Sequence, residues 1–187
     1  MRIIGLNASP NQDGLTASMA LAALEGAAEA GAETELVHMK TLDLRACLQC
    51  DNGWGQCRRE GTCVIEDDFQ SLREKLRGAD ALVVSTPVYY GEASEVAKSF
   101  LDRLRRCENA GPGDKPLAGR FALGIAAAGG SGGGIVSCQQ ALERYCQHIG
   151  LRIFDLIPVT RLTRGYKLDT ARAAGRALAQ AAAQVEK

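Results

Sequence analysis

Short apolar runs recur along this chain, each followed by a turn and then by a stretch with helical spacing. Ile3-Ile4-Gly5-Leu6, Ala81-Leu82-Val83-Val84 and Phe121-Ala122-Leu123-Gly124-Ile125 are apolar at consecutive positions, as strands covered on both faces are. The full pattern predicts strands near 2–7, 33–39, 80–86, 120–127 and 151–159, and helices near 16–30, 67–77, 94–106, 135–149 and 169–184. Five strands alternating with helices predict an α/β fold with a doubly wound parallel sheet. The last helix is Ala-rich, with Asp169 or Thr170 as its expected cap, and is expected to pack back on the sheet. With no internal repeat and no linker, residues 1–187 read as one domain. Its longest irregular stretch, about 40–66, exceeds a simple connection and reads as a functional insertion.

The turns after the three apolar runs would gather at one sheet edge, where open α/β folds bind ligands. In the first, Ser9 to Thr16, the side chains of Ser9 and Asn11 offer hydrogen bonds, Gly14 relaxes the backbone, and Thr16 stands where a helix begins. Free N–H groups and the positive dipole end of that helix suit an anion, although an ordinary N-cap by Thr16 or Ser18 is the plain alternative. The turn has no lysine and the chain has no P-loop signature, so a nucleoside triphosphate with magnesium is not expected. The second turn, Pro87-Val88-Tyr89-Tyr90-Gly91, offers aromatics on a stiffened backbone to a flat ring. The third, Gly129-Gly130-Ser131-Gly132-Gly133, offers bare main chain for close approach. Together they describe a site for a phosphorylated aromatic cofactor.

These segments resemble the flavodoxin-like NAD(P)H-dependent FMN reductase and iron-sulfur flavoprotein family. The resemblance rests on Ser9 to Thr16, on Ser85 to Gly91 running into Lys98-Ser99-Phe100-Leu101-Asp102-Arg103, and on the glycine run 129–134. It implies a flavodoxin-like strand order 2-1-3-4-5. It also implies FMN phosphate at Ser9, Asn11, Gly14, Leu15, Thr16 and Ala17, with the isoalloxazine ring near Pro87, Val88, Tyr89, Tyr90 and Gly91 and against Gly129, Gly130, Ser131, Gly132 and Gly133. The flavin would carry the chemistry, so no catalytic acid or base is demanded. NAD(P)H would deliver hydride as a visiting co-substrate. A quinone, a metal, a free flavin or a protein would then accept the electrons. The alternative is a non-catalytic electron-transfer flavoprotein that shuttles electrons between partner proteins. The family also implies a homodimer or homotetramer, with a neighbouring subunit over the flavin.

Within the insertion, Cys47, Cys50, Cys57 and Cys63 form a C-x2-C-x6-C-x5-C array. Four thiols this close in sequence can converge on an iron-sulfur cluster or on a tetrahedral zinc, or remain free or redox-active. The resemblance implies a cluster of the 4Fe-4S kind. Iron-sulfur flavoproteins carry a compact cysteine motif here, but the gap between second and third cysteines is six residues in this chain where two are usual. Gly53 and Gly55 would let the extra residues bulge outward. Cys107, Cys138 and Cys146 lie on expected helices and read as buried small apolar residues.

Composition adds exclusions. Lys plus Arg equals Asp plus Glu at 22 each, so no charge excess points to nucleic acid or an anionic membrane. Met1-Arg2 leads directly into a strand and no apolar run approaches bilayer length, so a cytoplasmic protein with no membrane span is expected. Seven cysteines, an odd number, fit thiols or metal ligands better than a disulfide framework. Gly129-Gly130-Ser131-Gly132-Gly133 matches a hydrolase nucleophile elbow, but His148, at the far end of the following helix, would stand about 20 Å from Ser131. His38 and His148 read as solvated or capping residues. Lys98, Asp102, Arg105 and Arg106 read as ion pairs on an exposed helix face.

Overall fold

A computed structural model describes residues 1–110 and 115–185. Five strands, β1 (Arg2–Asn7), β2 (Glu33–His38), β3 (Ala81–Pro87), β4 (Phe121–Ala127) and β5 (Arg152–Val159), form one parallel sheet in the order β2-β1-β3-β4-β5. Six helices connect and follow them: α1 (Leu15–Glu29), the single turn α2 (Gln56–Arg59), α3 (Phe69–Arg77), α4 (Glu95–Glu108), α5 (Ile135–His148) and α6 (Arg164–Ala183). The expected order and all five strands are present.

Consecutive apolar positions become a two-faced core because strand side chains alternate. Ile4, Leu6, Leu82 and Val84 face α3, α4 and α5, packing with Phe69, Leu76, Phe100 and Leu104. Ile3, Val83, Leu123 and Ile125 face the other way, against α1 and α6. Register then places Asn7 beside Ser85, and Pro87 beside Ala127, so the carboxyl ends of β1, β3 and β4 finish together. The strand order reverses direction between β1 and β3, which opens a crevice at that edge.

α6 begins at Arg164, five residues before the expected Asp169 or Thr170 cap, with Thr163 at its N-cap. The reason is a local turn in which Thr160 and Thr163 exchange hydrogen bonds and start the helix early. α6 packs on α1 without side chains between them at two points. A Cβ on Gly26 would stand 1.9 Å from Arg172 O, and one on Gly175 would stand 1.8 Å from Ala23 O. These two glycines are there for contact, since glycine inside a helix otherwise costs stability.

Candidate flavin site and cysteine loop

At the carboxyl edge of β1, β3 and β4 lies a cleft of about 580 Å³, within the range of small-molecule sites. Its walls are Ser9, Pro10, Asn11, Gly14, Leu15, Thr16, Pro87, Tyr89, Ala127, Ala128, Gly129, Arg161 and Arg164. The three turns singled out in the sequence therefore do share one site.

The floor of the first turn is braced by a residue the motif reading passed over. Asn7, fully buried at the end of β1, accepts a hydrogen bond from Ser9 N (3.1 Å) on Oδ1 and donates through Nδ2 to Asn11 O (3.2 Å). The same Nδ2 lies 3.0 Å from His38 Nδ1, so His38 is a half-buried brace and not a solvated strand end. Ser9 Oγ accepts from Asn11 N at 3.1 Å. Ser94, the N-cap of α4, ties the next turn in: its Oγ donates to Ala8 O (2.7 Å) and its N–H donates to Thr86 Oγ1 (3.0 Å). The sequence signal for Asn7 is a polar residue closing an apolar strand, and that for Ser94 is a serine directly before a helix.

No ordinary cap closes α1. Its N-cap is Gly14, which has no side chain to offer, and Ser18 Oγ turns back to donate to Gly14 O at 2.9 Å. Thr16 is 4% exposed and borders the cleft, and its hydroxyl makes no hydrogen bond among the described residues. An uncapped first turn beside a largely buried threonine that borders the cleft is a fitting cradle for a phosphate. Ala17 lies behind it, wholly buried.

Among the ring-turn residues, Pro87 and Tyr89 border the cleft, while Val88 packs with Ala126, Ala128, Ile135 and Cys138. Tyr89 and Glu92 exchange two backbone hydrogen bonds of 2.9 Å around Tyr90 (φ 50°) and Gly91 (φ 84°), a tight mirror-image turn. Tyr90 occupies a left-handed position that favours Asn or Gly, and its side chain projects fully into solvent. Gly91 backs onto Gly134, where a Cβ would come within 2.7 Å of Gly91 Cα. In the third turn Gly129 borders the cleft, and a Cβ on either Gly129 or Gly130 would meet nothing within 4 Å. Ser131 Oγ accepts from Gly133 N at 3.3 Å, and Gly132 faces Thr160. Arg161 and Arg164 were absent from the sequence reading because they follow β5, far from any of the three turns.

The four loop cysteines also come together. Cys47, Cys50, Cys57 and Cys63 line one apolar pocket of about 20 Å³ with Arg103, Arg106 and Cys107. That space holds about one water, and no three Cys, His, Asp or Glu side chains converge on a metal position among the described residues. The six-residue gap bulges outward at Gly53 and its neighbours, while Gly55 is buried against Cys50, where a Cβ would stand 2.8 Å from Cys50 Cβ. Asp51 (φ 51°), Asn52 (φ 50°) and Gly53 (φ 88°) follow one another in left-handed conformations, and Trp54 is 68% exposed.

Three arginines pin this loop to α3 and α4. Arg73 Nη1 donates to Gly61 O (2.6 Å), Arg106 Nη1 to Gly53 O (2.8 Å), and Arg103 Nη1 to Arg45 O (2.9 Å). Among the described residues Arg106 makes no ion pair, whereas Lys98 and Arg105 do pair with Asp102. Burial opposes the Arg103 charge, but the Asp67 hydrogen bond and the nearby Cys63 thiol more than offset it and raise its pKa. Arg103 Nε is buried without a hydrogen-bond partner, a donor left over beside the thiols. Cys107, Cys138 and Cys146 are buried as expected, and burial pushes their thiols up to about 12, 11 and 12.

A family model described as NADPH-dependent FMN reductase matches residues 1–155. The chain belongs to that family. Two iron-sulfur flavoproteins of Methanocaldococcus jannaschii resemble it. One is 33% identical over 161 residues, covering 85% of this chain and 75% of the other. The second is 32% identical over 130 residues, covering 70% of this chain and 65% of the other. The chain spans 55% of the length of an iron-sulfur flavoprotein of Methanosarcina thermophila, at 38% identity over 109 residues, 57% of this chain. An NAD(P)H:quinone oxidoreductase from Methanothermobacter marburgensis shares the fold with a TM-score of 0.76 at 21% identity, covering 95% of this chain and 96% of that one. No helix among the described residues is long and apolar enough to cross a membrane.

Proposed function

We propose that this FMN reductase family member is an FMN-dependent oxidoreductase that takes hydride from NAD(P)H and passes electrons to a quinone, flavin, metal or protein acceptor. The observation that carries this reading is the uncapped start of α1 with the unpartnered Thr16 hydroxyl, in one cleft with Pro87, Tyr89 and Gly129. FMN bound there would supply the hydride and single-electron chemistry. The chain's own part is to hold and orient: first-turn N–H groups and Thr16 take the phosphate, and Asn7 and Ser94 fix the loop that carries them. Pro87 and Tyr89 form one wall of the ring slot, and the bare backbone at Gly129 leaves its other side free for close approach.

The cysteine loop supports a resident iron-sulfur cluster in the same protein. Four thiols border one apolar pocket, and Arg103 Nε is an unspent donor beside them. Cluster thiolates stand farther apart than those round a single zinc ion. In a cluster-loaded protein Cys47, Cys50, Cys57 and Cys63 would be the ligands.

The visible spectrum of protein purified without oxygen, with iron, sulfide, zinc and flavin determined on the same sample, tests both assignments. FMN in near-equal amount to protein, and its bleaching by NADH or NADPH, are expected. Protein that neither retains nor rebinds FMN would overturn the first reading. Zinc without sulfide would overturn the second.

A further inference from the structure

The turn that opens α1, Ser9 to Thr16, contains no lysine or arginine and includes Asp13. A phosphate there would find N–H groups and hydroxyls but no formal positive charge in its own loop. Two arginines nevertheless stand on the cleft wall, Arg161 in the turn after β5 and Arg164 at the first position of α6.

The rest of α6 shows why these two differ. Arg164, Leu168, Arg172 and Arg176 recur every four residues and so share a helix face. Leu168 packs against the α1 side of the core. Arg172 pairs with Glu25 and Glu29, and Arg176 with Glu29, so the stripe runs along α1 with a carboxylate for each charge. At the start of α1 the acids stop, because its first turn has none. Arg164 meets Ser18 Oγ there at 3.3 Å, and among the described residues neither Arg161 nor Arg164 makes an ion pair. Arg161 is carried on a fixed backbone, since Thr160 N–H donates to Thr163 Oγ1 (2.9 Å) and Thr163 N–H to Thr160 Oγ1 (3.3 Å). The same cleft is bordered by Thr16, a largely buried residue whose hydroxyl makes no hydrogen bond among the described residues.

We propose that Arg161 and Arg164 supply the positive charge of this anion site and grip a phosphomonoester group of the bound ligand against the start of α1. The charge arrangement stands by itself; only the choice of ligand rests on the flavin reading above. Within that reading the phosphate is the 5′-phosphate of FMN, and the other source of the same chemistry is the 2′-phosphate of NADPH. Both arginines lie past residue 155, beyond the stretch that the family model matches.

The test compares wild type with Arg161→Gln, Arg164→Gln and the double variant, each checked for an unchanged circular dichroism spectrum. Fluorescence titration gives affinities for FMN and for riboflavin, which lacks the phosphate. The double variant should bind FMN at least about tenfold more weakly, the effect of losing charge-assisted hydrogen bonds, with riboflavin affinity unchanged. Its FMN affinity should also depend less steeply on salt, since both side chains are exposed. If the FMN-to-riboflavin ratio stays constant while KM rises for NADPH and not for NADH, the arginines hold the dinucleotide phosphate. A third arm uses inorganic phosphate alone, which should raise the melting midpoint of the flavin-free wild type more than that of the double variant. This arm keeps the arginine assignment testable even if wild type binds no flavin, a result that would sink the flavin reading separately. Equal FMN-to-riboflavin ratios, equal NADPH-to-NADH preference and equal phosphate stabilisation in wild type and double variant would overturn the proposal.

Discussion

Arg103 on α4 grips Asp67 at the end of the cysteine loop with two parallel hydrogen bonds, Nη1 to Oδ2 at 2.6 Å and Nη2 to Oδ1 at 2.8 Å. Their side chains are 1% and 0% exposed, and the guanidinium lies over the Phe69 ring. Removing one partner of such a pair leaves a buried charge alone, which costs about 3–5 kcal/mol, while replacing both by apolar groups costs far less. Arg103→Met should therefore lower the denaturation midpoint sharply and speed the reaction of the four loop thiols with a thiol reagent. Asp67→Leu added to it should restore most of the midpoint. A double variant no more stable than Arg103→Met would mean the pair is not what holds the loop.

Acid should reveal the same contact. Burial opposes the Asp67 charge, but Arg103 and the N–H groups of Arg45 and Phe69 outweigh it and hold the carboxyl below its ordinary value of 3.8. A depressed carboxylate contributes stability that is present above the unfolded pKa and lost as pH falls through the folded one. The stability gap between wild type and Asp67→Asn should then be constant near neutrality and narrow below about pH 4. A gap that stayed constant down to pH 2 would contradict this assignment.

Thr16→Val keeps shape and removes the hydroxyl. Ser85 Oγ bonds Thr16 O, a main-chain atom, so the local fold should survive. FMN affinity should fall roughly ten- to hundredfold, the worth of a hydrogen bond to a charged oxygen. Fluorescence titration with unchanged affinity would remove Thr16 from the site.

Gly129→Val and Gly134→Val should fail in different ways. An added Cβ at Gly129 meets nothing within 4 Å and its φ is not left-handed, so the variant should fold and lose flavin affinity. At Gly134 φ is 80° and a Cβ would stand 2.7 Å from Gly91 Cα, so this variant should lose stability as well. Thermal unfolding of both flavin-free proteins separates the cases, and a normal midpoint for Gly134→Val would refute the contact.

Gly175→Ala tests the seam between α1 and α6. Helix propensity alone predicts a gain of about 0.5–1 kcal/mol. The new Cβ would overlap Ala23 O at 1.8 Å, a main-chain atom that cannot step aside without moving α1. The variant should be destabilised, and a raised midpoint would show that the seam has slack.

The sheet was legible in the sequence because consecutive apolar residues bounded by turns have few other solutions, and the three turns follow from strand order. The fit of Ser9, Thr16, Tyr89 and Gly129 to one cleft is the product of that register. What escaped were residues whose role depends on distance in the chain. Asn7 and His38 lie 31 residues apart, and Arg164 reaches Ser18 across 146. Arg103 stood in the sequence only as the end of the Lys98 to Arg103 motif and Arg106 as a surface ion pair; packing shows that Arg103 turns inward to Asp67 while Arg106 reaches Gly53. The early start of α6 was missed because Thr163 competes with Asp169 as a helix start, and a local hydroxyl exchange with Thr160 decides the matter.

The contact of Gly91 with Gly134 has a kinetic consequence. Two main chains that touch without side chains between them leave neither any room to move into the other, so the Gly91 turn and the Gly134 end of the glycine run brace each other against closing. A ligand leaving the cleft should do so past the opposite rim, where Arg161 and Leu162 stand in solvent on a four-residue turn. Dissociation rates should therefore respond to substitutions after β5 and ignore Tyr90. The end of the chain remotest in sequence from the phosphate turn would then govern how long that turn keeps its guest.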